Sequence, residues 1–170
     1  MHGTRIKGGI IAKKISSVGV DFIKKWEAFV PFIYDDLVKP TREWKGEPVK
    51  GTLTIGYGHT KAAADPIKMV QGLKITEAQA TSILANDLAP DVAAVNAAVK
   101  VPLTQHQFDA LVSFKFNTGR MAGTGLVNRI NEKKFDQVPA EFMKWVKSKG
   151  KVVEGLKNRR KGEIELWNKP

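Results

Sequence analysis

A chain of 170 residues with 42% hydrophobic and 26% charged residues carries enough apolar content for a real core, and fits neither a disordered nor a fibrous pattern. Cysteine is absent, which excludes disulfide frameworks, thiolate zinc sites and cysteine nucleophiles together. The formal net charge of +11 sets up a field that concentrates the protein near polyanions without choosing among nucleic acid, anionic lipid and a cell envelope.

Lys7, Lys13 and Lys14 surround an apolar run, residues 8–12, that is too short for an export signal or a membrane span. Residues 1–15 are expected to form a basic, partly disordered arm ahead of one domain over 16–170. Ser16 and Ser17 can cap a helix beginning near Val18, whose apolar residues Phe22, Ile23, Trp26, Phe29 and Val30 share one face. Pro31 has no N–H to donate and disfavours helical geometry in Val30, so the helix is predicted to end there, with Glu27 near its C-terminal end. Phe32–Tyr34 and Leu53–Ile55 read as short strands separated by a polar stretch with Pro40, Gly46, Pro48 and Gly51, which predicts a small antiparallel sheet within about 32–65. Gly56 and Gly58 mark a tight turn around Tyr57.

A helical lobe is expected over about 76–170. Thr76 to Gln79 and Thr104 to Gln107 are S/T-x-x-E/Q capping boxes. The first opens a helix with Ile83, Leu84 and Leu88, which Pro90 kinks or restarts toward Val92, Val95 and Val99. The second opens a central helix bearing Phe108, Leu111, Val112 and Phe116 and stopping at Gly119. A glycine-marked loop through Gly123 and Gly125 leads to a short helix with Leu126, Ile130 and Phe135. A stripe of Val138, Phe142, Trp145 and Val146 follows, then a turn framed by Gly150 and Gly155, and a last helix from about Leu156 to Trp167. The fold class is α+β, mostly helical, with a small antiparallel sheet or hairpin lobe.

Glu27 at a helix end and Asp36 beyond the first strand form a pair of the kind glycoside hydrolysis uses. One carboxylic acid protonates the leaving oxygen while the other carboxylate steers water or attacks the sugar. The neighbours Trp26, Ala28 and Phe29 are apolar, and apolar surroundings favour an acid that keeps its proton. Spacing alone is weak, since most Glu and Asp are solvated surface groups, and Asp35 rivals Asp36.

The surrounding residues add the specificity that spacing lacks. Glu27 is followed by Tyr34-Asp35-Asp36, then Thr54-Ile-Gly-Tyr-Gly-His59, then a Pro102-Leu-Thr-x-x-Gln-x-x-Ala-Leu111 helix. Phe116-Asn117-x-Gly119 and Gly155-Leu156-x-x-Arg159-Arg160-x-x-Glu163 complete the pattern. Over residues 17–168 the chain resembles the phage-type lysozymes of glycoside hydrolase family 24. The resemblance implies a lysozyme-like fold whose β lobe forms one side of a cleft. It also implies hydrolysis, with inversion, of the β-1,4 bond between N-acetylmuramic acid and N-acetylglucosamine in bacterial peptidoglycan. Residue by residue it implies Glu27 as general acid, Asp36 as the carboxylate that activates or positions water, and Thr54 as a hydroxyl helping to hold that water. Gly58, Thr60, Phe116 and Asn117 are the implied substrate contacts. The Tyr-x-Asp register favours Asp36 over Asp35. No cofactor and no metal are called for. A monomer made in the host cytoplasm and acting at the cell wall is expected, reaching it through a holin-like membrane lesion made by a partner.

Other features carry plainer readings. His59 lacks a second His or Cys at ligand spacing and reads as a hydrogen-bonded structural residue, and His2 and His106 as exposed ones. Phe116 and Asn117 read equally well as a core residue and a helix-end residue. Trp145 and Trp167 fall on core stripes, and Arg159 and Arg160 can pair with Glu163 and Glu165. Seventeen residues, Leu37 to Leu53, stand where the family has only a few. They read as a lengthened hairpin at the cleft edge, with Arg42, Trp44 and Lys45 as alternative contacts to peptide stems or wall polymers. A non-catalytic peptidoglycan-binding module is the alternative function. Nucleic-acid binding rests on charge alone, without an accompanying motif, so no specific nucleic-acid partner is expected.

Overall fold

The computed structural model describes residues 5, 6 and 9–170. The chain divides into two compact units, one spanning Val20–Ala89 and the other formed by Pro90–Pro170 with the N-terminal segment up to Gly19.

The first unit is entered through α1, Ser17–Lys24, which is capped where the Ser16 hydroxyl accepts the Gly19 N–H at 3.2 Å. The helix ends at Lys24, short of the expected Val30. The next three amides, of Lys25, Trp26 and Glu27, donate to Phe22, Ile23 and Lys24 at 3.3, 3.0 and 3.2 Å, the i to i−3 pattern that tightens a helix end. Val30 and Pro31 instead open strand β3, Val30–Asp35, because strand pairing with Gly56 captures Val30. Pro31 is tolerated there, near the start of the strand, and its carbonyl accepts the Ile75 N–H at 2.9 Å.

β3 pairs antiparallel with β4, Leu53–Gly56, which gives the expected small antiparallel sheet, and β5, His59–Thr60, adds a third strand that the sequence reading did not include. Tyr34 lies opposite Thr54, which lies opposite Thr60 on its other side, and the β3 register shifts between Val30 and Tyr34. Gly56 has φ +67°, and a methyl group on it would stand 3.2 Å from Ile75 Cδ1 and 3.3 Å from Ala80 Cβ. The bare backbone therefore lets β4 approach α2, Glu77–Asp87, closely. Both hydrogen bonds of the Thr76–Gln79 capping box start that helix.

In the second unit, Arg5–Ile6 (β1) and Ile10–Ile11 (β2) pair antiparallel, and the Lys13 N–H donates to Asn96 Oδ1 at 2.9 Å. Residues 1–4, 7 and 8 of the expected arm, His2 among them, lie outside the described residues. The helices are α3, Ala89–Ala98; α4, Gln105–Thr118; α5, Gly125–Asn131; α6, Val138–Phe142; and α7, Glu154–Trp167. The second capping box, Thr104–Gln107, opens α4, and Gly119 closes it at φ +69°. Residues Phe108 to Phe114 of α4 are all buried, and its packing against α7 centres this unit. Phe114 meets Phe142 and Trp145 edge-on, with ring centroids 5.5 and 5.4 Å apart.

Four boundaries in this unit differ from expectation. α5 stops at Asn131, and Phe135, expected on it, opens a separate 3-10 turn, Phe135–Gln137. Gly125 begins α5 because Thr124 caps it, accepting the Val127 N–H at 3.2 Å. The helical stripe from Val138 stops at Phe142, and Gly150 sits in a hairpin of β6, Lys147–Ser148, and β7, Lys151–Val152. Gly155 lies inside α7, which starts at Glu154. Among the described residues no helix is long and apolar enough to cross a membrane.

Candidate active site

β3 and β4 position most of the expected site. Asp36 is the first residue past β3 and is exposed; its Oδ1 accepts the Thr52 N–H at 2.8 Å, and its own N–H donates to the Thr52 carbonyl at 3.2 Å. Asp36 is thereby tied into the hairpin while its carboxylate stays open to solvent. Thr54 is buried on β4, its hydroxyl donating to the Thr52 carbonyl at 3.1 Å. Glu27 is half-buried in the tightened turn after α1.

Tyr34 joins these groups. As the residue two before Asp36 it projects on the same side of the chain, and as the cross-strand partner of Thr54 it shares that residue's face. Its phenol is pushed above the ordinary tyrosine range by burial first, then by the negative charges of Asp36 and Glu27. One half-buried ring thus feels both carboxylates. Tyr34 belonged to the motif but not to the expected site; the strand alternation Tyr-x-Asp is the signal that places it there.

Asp35 does something different from Asp36. It is 4% exposed, and its two oxygens accept three backbone N–H groups: Leu37 at 3.1 Å, Lys50 at 2.5 Å and Gly51 at 2.9 Å. Burial pushes its carboxyl upward, but these hydrogen bonds outweigh burial and hold it below the usual carboxylate range. Asp35 is the anchor of the long insert. That insert does not lengthen the ladder, whose pairing stops at Asp35 and Leu53. It folds back as a loop instead, with the Trp44 N–H on the Ile33 carbonyl at 2.7 Å and the Trp44 indole on the Glu47 carbonyl at 2.8 Å. Arg42 pairs with Glu47 at 2.9 Å and Lys45 with Glu43 at 2.5 Å, so these cations are engaged within the loop.

Gly58 occupies the exposed turn between β4 and β5 at φ +84°, and Thr60 on β5 accepts the Ala62 N–H at 3.2 Å. His59 is buried between them. Ile67 donates its N–H to Nε2 at 3.1 Å, which makes Nδ1 the protonated nitrogen facing Asp87 at 2.8 Å. Both ring nitrogens are committed to holding the loop and α2. Among the described residues no group of three or more His, Asp or Glu could hold a metal ion.

Phe116 and Asn117 belong to the other unit, half-buried in the last turn of α4. Asn117 Oδ1 accepts Arg160 Nη2 at 2.7 Å. Arg160 is fully buried, with Nε 2.8 Å from Glu163 Oε2 and its guanidinium 5.1 Å from the centre of the Phe114 ring. Glu163 also accepts the Ser113 hydroxyl at 2.7 Å. The expected pairing of Arg159 and Arg160 with Glu163 is present, but inside the core rather than on a solvated helix face.

The family model described as phage lysozyme matches residues 24–163. The chain is 38% identical over 157 residues to an endolysin of Bacillus phage PZA, covering 91% of this chain and 55% of that protein. It is 32% identical over 156 residues to the endolysin of Salmonella phage P22, covering 91% of this chain and 97% of that one. The chain thus spans about half the length of the Bacillus phage relative and nearly all of the Salmonella phage one. Among solved structures, a P22 lysozyme variant matches with a TM-score of 0.77 at 29% identity, over 92% of this chain and 99% of that one. The muramidase domain of SpmX from Asticaccaulis excentricus matches with a TM-score of 0.74 at 33% identity, again over 92% and 99%. The chain, with its Glu27, Asp36 and Thr54 on the β-sheet unit, belongs to the phage lysozyme family.

Proposed function

We propose that the protein is an endolysin that hydrolyses the β-1,4 bond between N-acetylmuramic acid and N-acetylglucosamine in bacterial peptidoglycan. Glu27 protonates the glycosidic oxygen, and Asp36 takes the proton of the attacking water, which the Thr54 hydroxyl helps to hold. Gly58, Thr60, Phe116 and Asn117 contact the glycan. The protein acts as a monomer at the cell wall, after synthesis in the host cytoplasm and passage through a lesion made by a holin-like partner.

The observation that carries this reading is the Tyr34 ring, which lies in the field of both Glu27 and Asp36 and faces Thr54 across the strands. The engagement of Asp35 by three amides supports Asp36 as the working carboxylate, since it leaves Asp36 as the solvent-facing member of the pair. Family membership supports the glycan substrate.

Muropeptide analysis of digested sacculi tests the proposal. New reducing ends at N-acetylmuramic acid are expected, and the Glu27→Gln variant should lose at least about a hundredfold in rate. Anhydro ends would assign a lytic transglycosylase instead, and intact glycan a binding module. Glu27→Gln lysing walls at the parental rate would remove Glu27 from the mechanism.

A further inference from the structure

The net charge is distributed very unevenly. Of 28 Lys and Arg and 17 Asp and Glu, Val20–Ala89 holds nine of each, so this unit is formally neutral and the whole surplus of +11 belongs to the other unit. Within that unit the charge is dense at the β6–β7 hairpin, where Lys147, Lys149 and Lys151 fall within five residues and all are exposed. None of the three has an ion-pair partner among the described residues, whereas nearby Lys144 pairs with Glu141 at 2.8 Å and Lys157 with Glu154 at 3.9 Å.

The hairpin holds these lysines in a tight turn. Lys147 lies opposite Val152 and Ser148 opposite Lys151, which leaves Lys149 and Gly150 as a two-residue turn with φ +49° and +79°. Such a turn favours Asn, Asp or Gly at its first position, because a side chain with Cβ strains the left-handed conformation. A lysine stands there instead. Beside the lysines, Val152 is 59% and Val153 39% exposed. Cations next to uncovered aliphatic side chains suit a surface that offers phosphate at one depth and hydrocarbon just below it.

We propose that the Lys147–Val153 hairpin segment is a docking element for an anionic phospholipid bilayer. Lys147, Lys149 and Lys151 engage headgroup phosphates while Val152 and Val153 enter the acyl boundary. The element shares no residue with the candidate active site and does not depend on the hydrolytic reading. Each lysine near an anionic bilayer contributes about fivefold in affinity, so removing three costs about a hundredfold at low salt.

Sedimentation with vesicles of phosphatidylcholine alone or with phosphatidylglycerol tests this, using the full chain. The parental protein should bind the mixed vesicles and not the neutral ones. The triple variant Lys147→Gln, Lys149→Gln, Lys151→Gln should lose about a hundredfold. A charge-matched control, Lys61→Gln, Lys68→Gln, Lys74→Gln, alters exposed lysines of the neutral unit and should bind nearly as the parent does. Val152→Ser with Val153→Ser should weaken vesicle binding but leave binding to soluble polyphosphate unchanged. Equal losses in the two lysine variants would mean that net charge alone drives adsorption and would overturn the proposal. So would a valine variant that binds vesicles like the parent, which would point to a soluble polyanion as the partner.

Discussion

Gly51 lies so close under the Asp36 carboxylate that a side chain on it would force that carboxylate to move. A methyl group built on Gly51 would overlap Asp36 Oδ1 and stand 2.6 Å from Leu37 Cγ and 2.9 Å from Asp35 Oδ1. The insert thus meets the candidate site at a bare backbone position beside the Thr52 hydrogen bonds to Asp36. Gly51→Ala is expected to shift the Asp36 carboxylate by a fraction of an ångström to an ångström. Misplacement of that size at a reacting group costs up to about a hundredfold in rate. Turnover of purified peptidoglycan should fall at least tenfold, by that scale, while circular dichroism keeps the parental signature. Parental turnover would show that the position of Asp36 is not critical.

The two adjacent aspartates should separate cleanly. Asp36→Asn removes an exposed carboxylate and should leave the melting temperature unchanged while lowering turnover by about a hundredfold or more. Asp35→Asn takes charge from a group that accepts three amides, so it should lower the melting temperature and speed hydrogen exchange at Leu37, Lys50 and Gly51. The Asp35 carboxyl is held below its unfolded value, so its stabilisation is present above that value and disappears as pH falls through the folded one. The stability gap between parent and Asp35→Asn should therefore close in strong acid. The opposite pattern, with Asp36→Asn destabilising and Asp35→Asn inactive but stable, would exchange their roles.

Sequence reasoning read the elements with local signatures and missed those decided at a distance. The two capping boxes and the Gly119 stop are written within four residues, and each appears as expected. The end of α1 is not local: Val30 leaves the helical pattern because Gly56, twenty-six positions on, pairs with it. Glu27, Asp36 and Thr54 stand out in the sequence through their motifs, whereas the pairing of Thr54 with Tyr34 comes from the strand register. The assignment of Asp35 to the loop amides was not legible, since nothing in Tyr34-Asp35-Asp36 says that Lys50 and Gly51 return to meet it. Arg160 is the same kind of case. Its helix spacing to Glu163 predicts a pair, but only tertiary packing on Phe114 puts that pair in the core.

That buried pair makes stability depend on pH near neutrality. Burial pushes Glu163 up to about 7, against the pull of Arg160, Ser113 and Arg159. A carboxyl whose folded value is raised binds its proton more tightly when folded, so its contribution is fullest below its unfolded value and is lost as pH rises through about 7. The parental protein should therefore lose melting temperature between pH 5 and 8 relative to Glu163→Gln, which carries no titrating group there. A difference between the two proteins that stays constant over this range would show that Glu163 remains ionised throughout.

Asn117 offers a test in which structure and binding move in opposite directions. Its Oδ1 is taken by Arg160 Nη2 at 2.7 Å, which fixes the amide so that the NH2 group is the end left for another partner. Asn117→Ala removes the acceptor from a buried guanidinium and should cost about 1–3 kcal/mol in denaturant melts. Loss of activity in that variant would not separate folding from binding. Asn117→Asp keeps the size and gives Arg160 a carboxylate oxygen, so the fold should be held at least as firmly. The same change replaces the outward amide donor with an acceptor. If Asn117 donates to the glycan, KM should rise severalfold while kcat and the melting temperature stay near parental values. A parental KM in Asn117→Asp would confine Asn117 to orienting Arg160 within the helical unit and remove it from the substrate contacts.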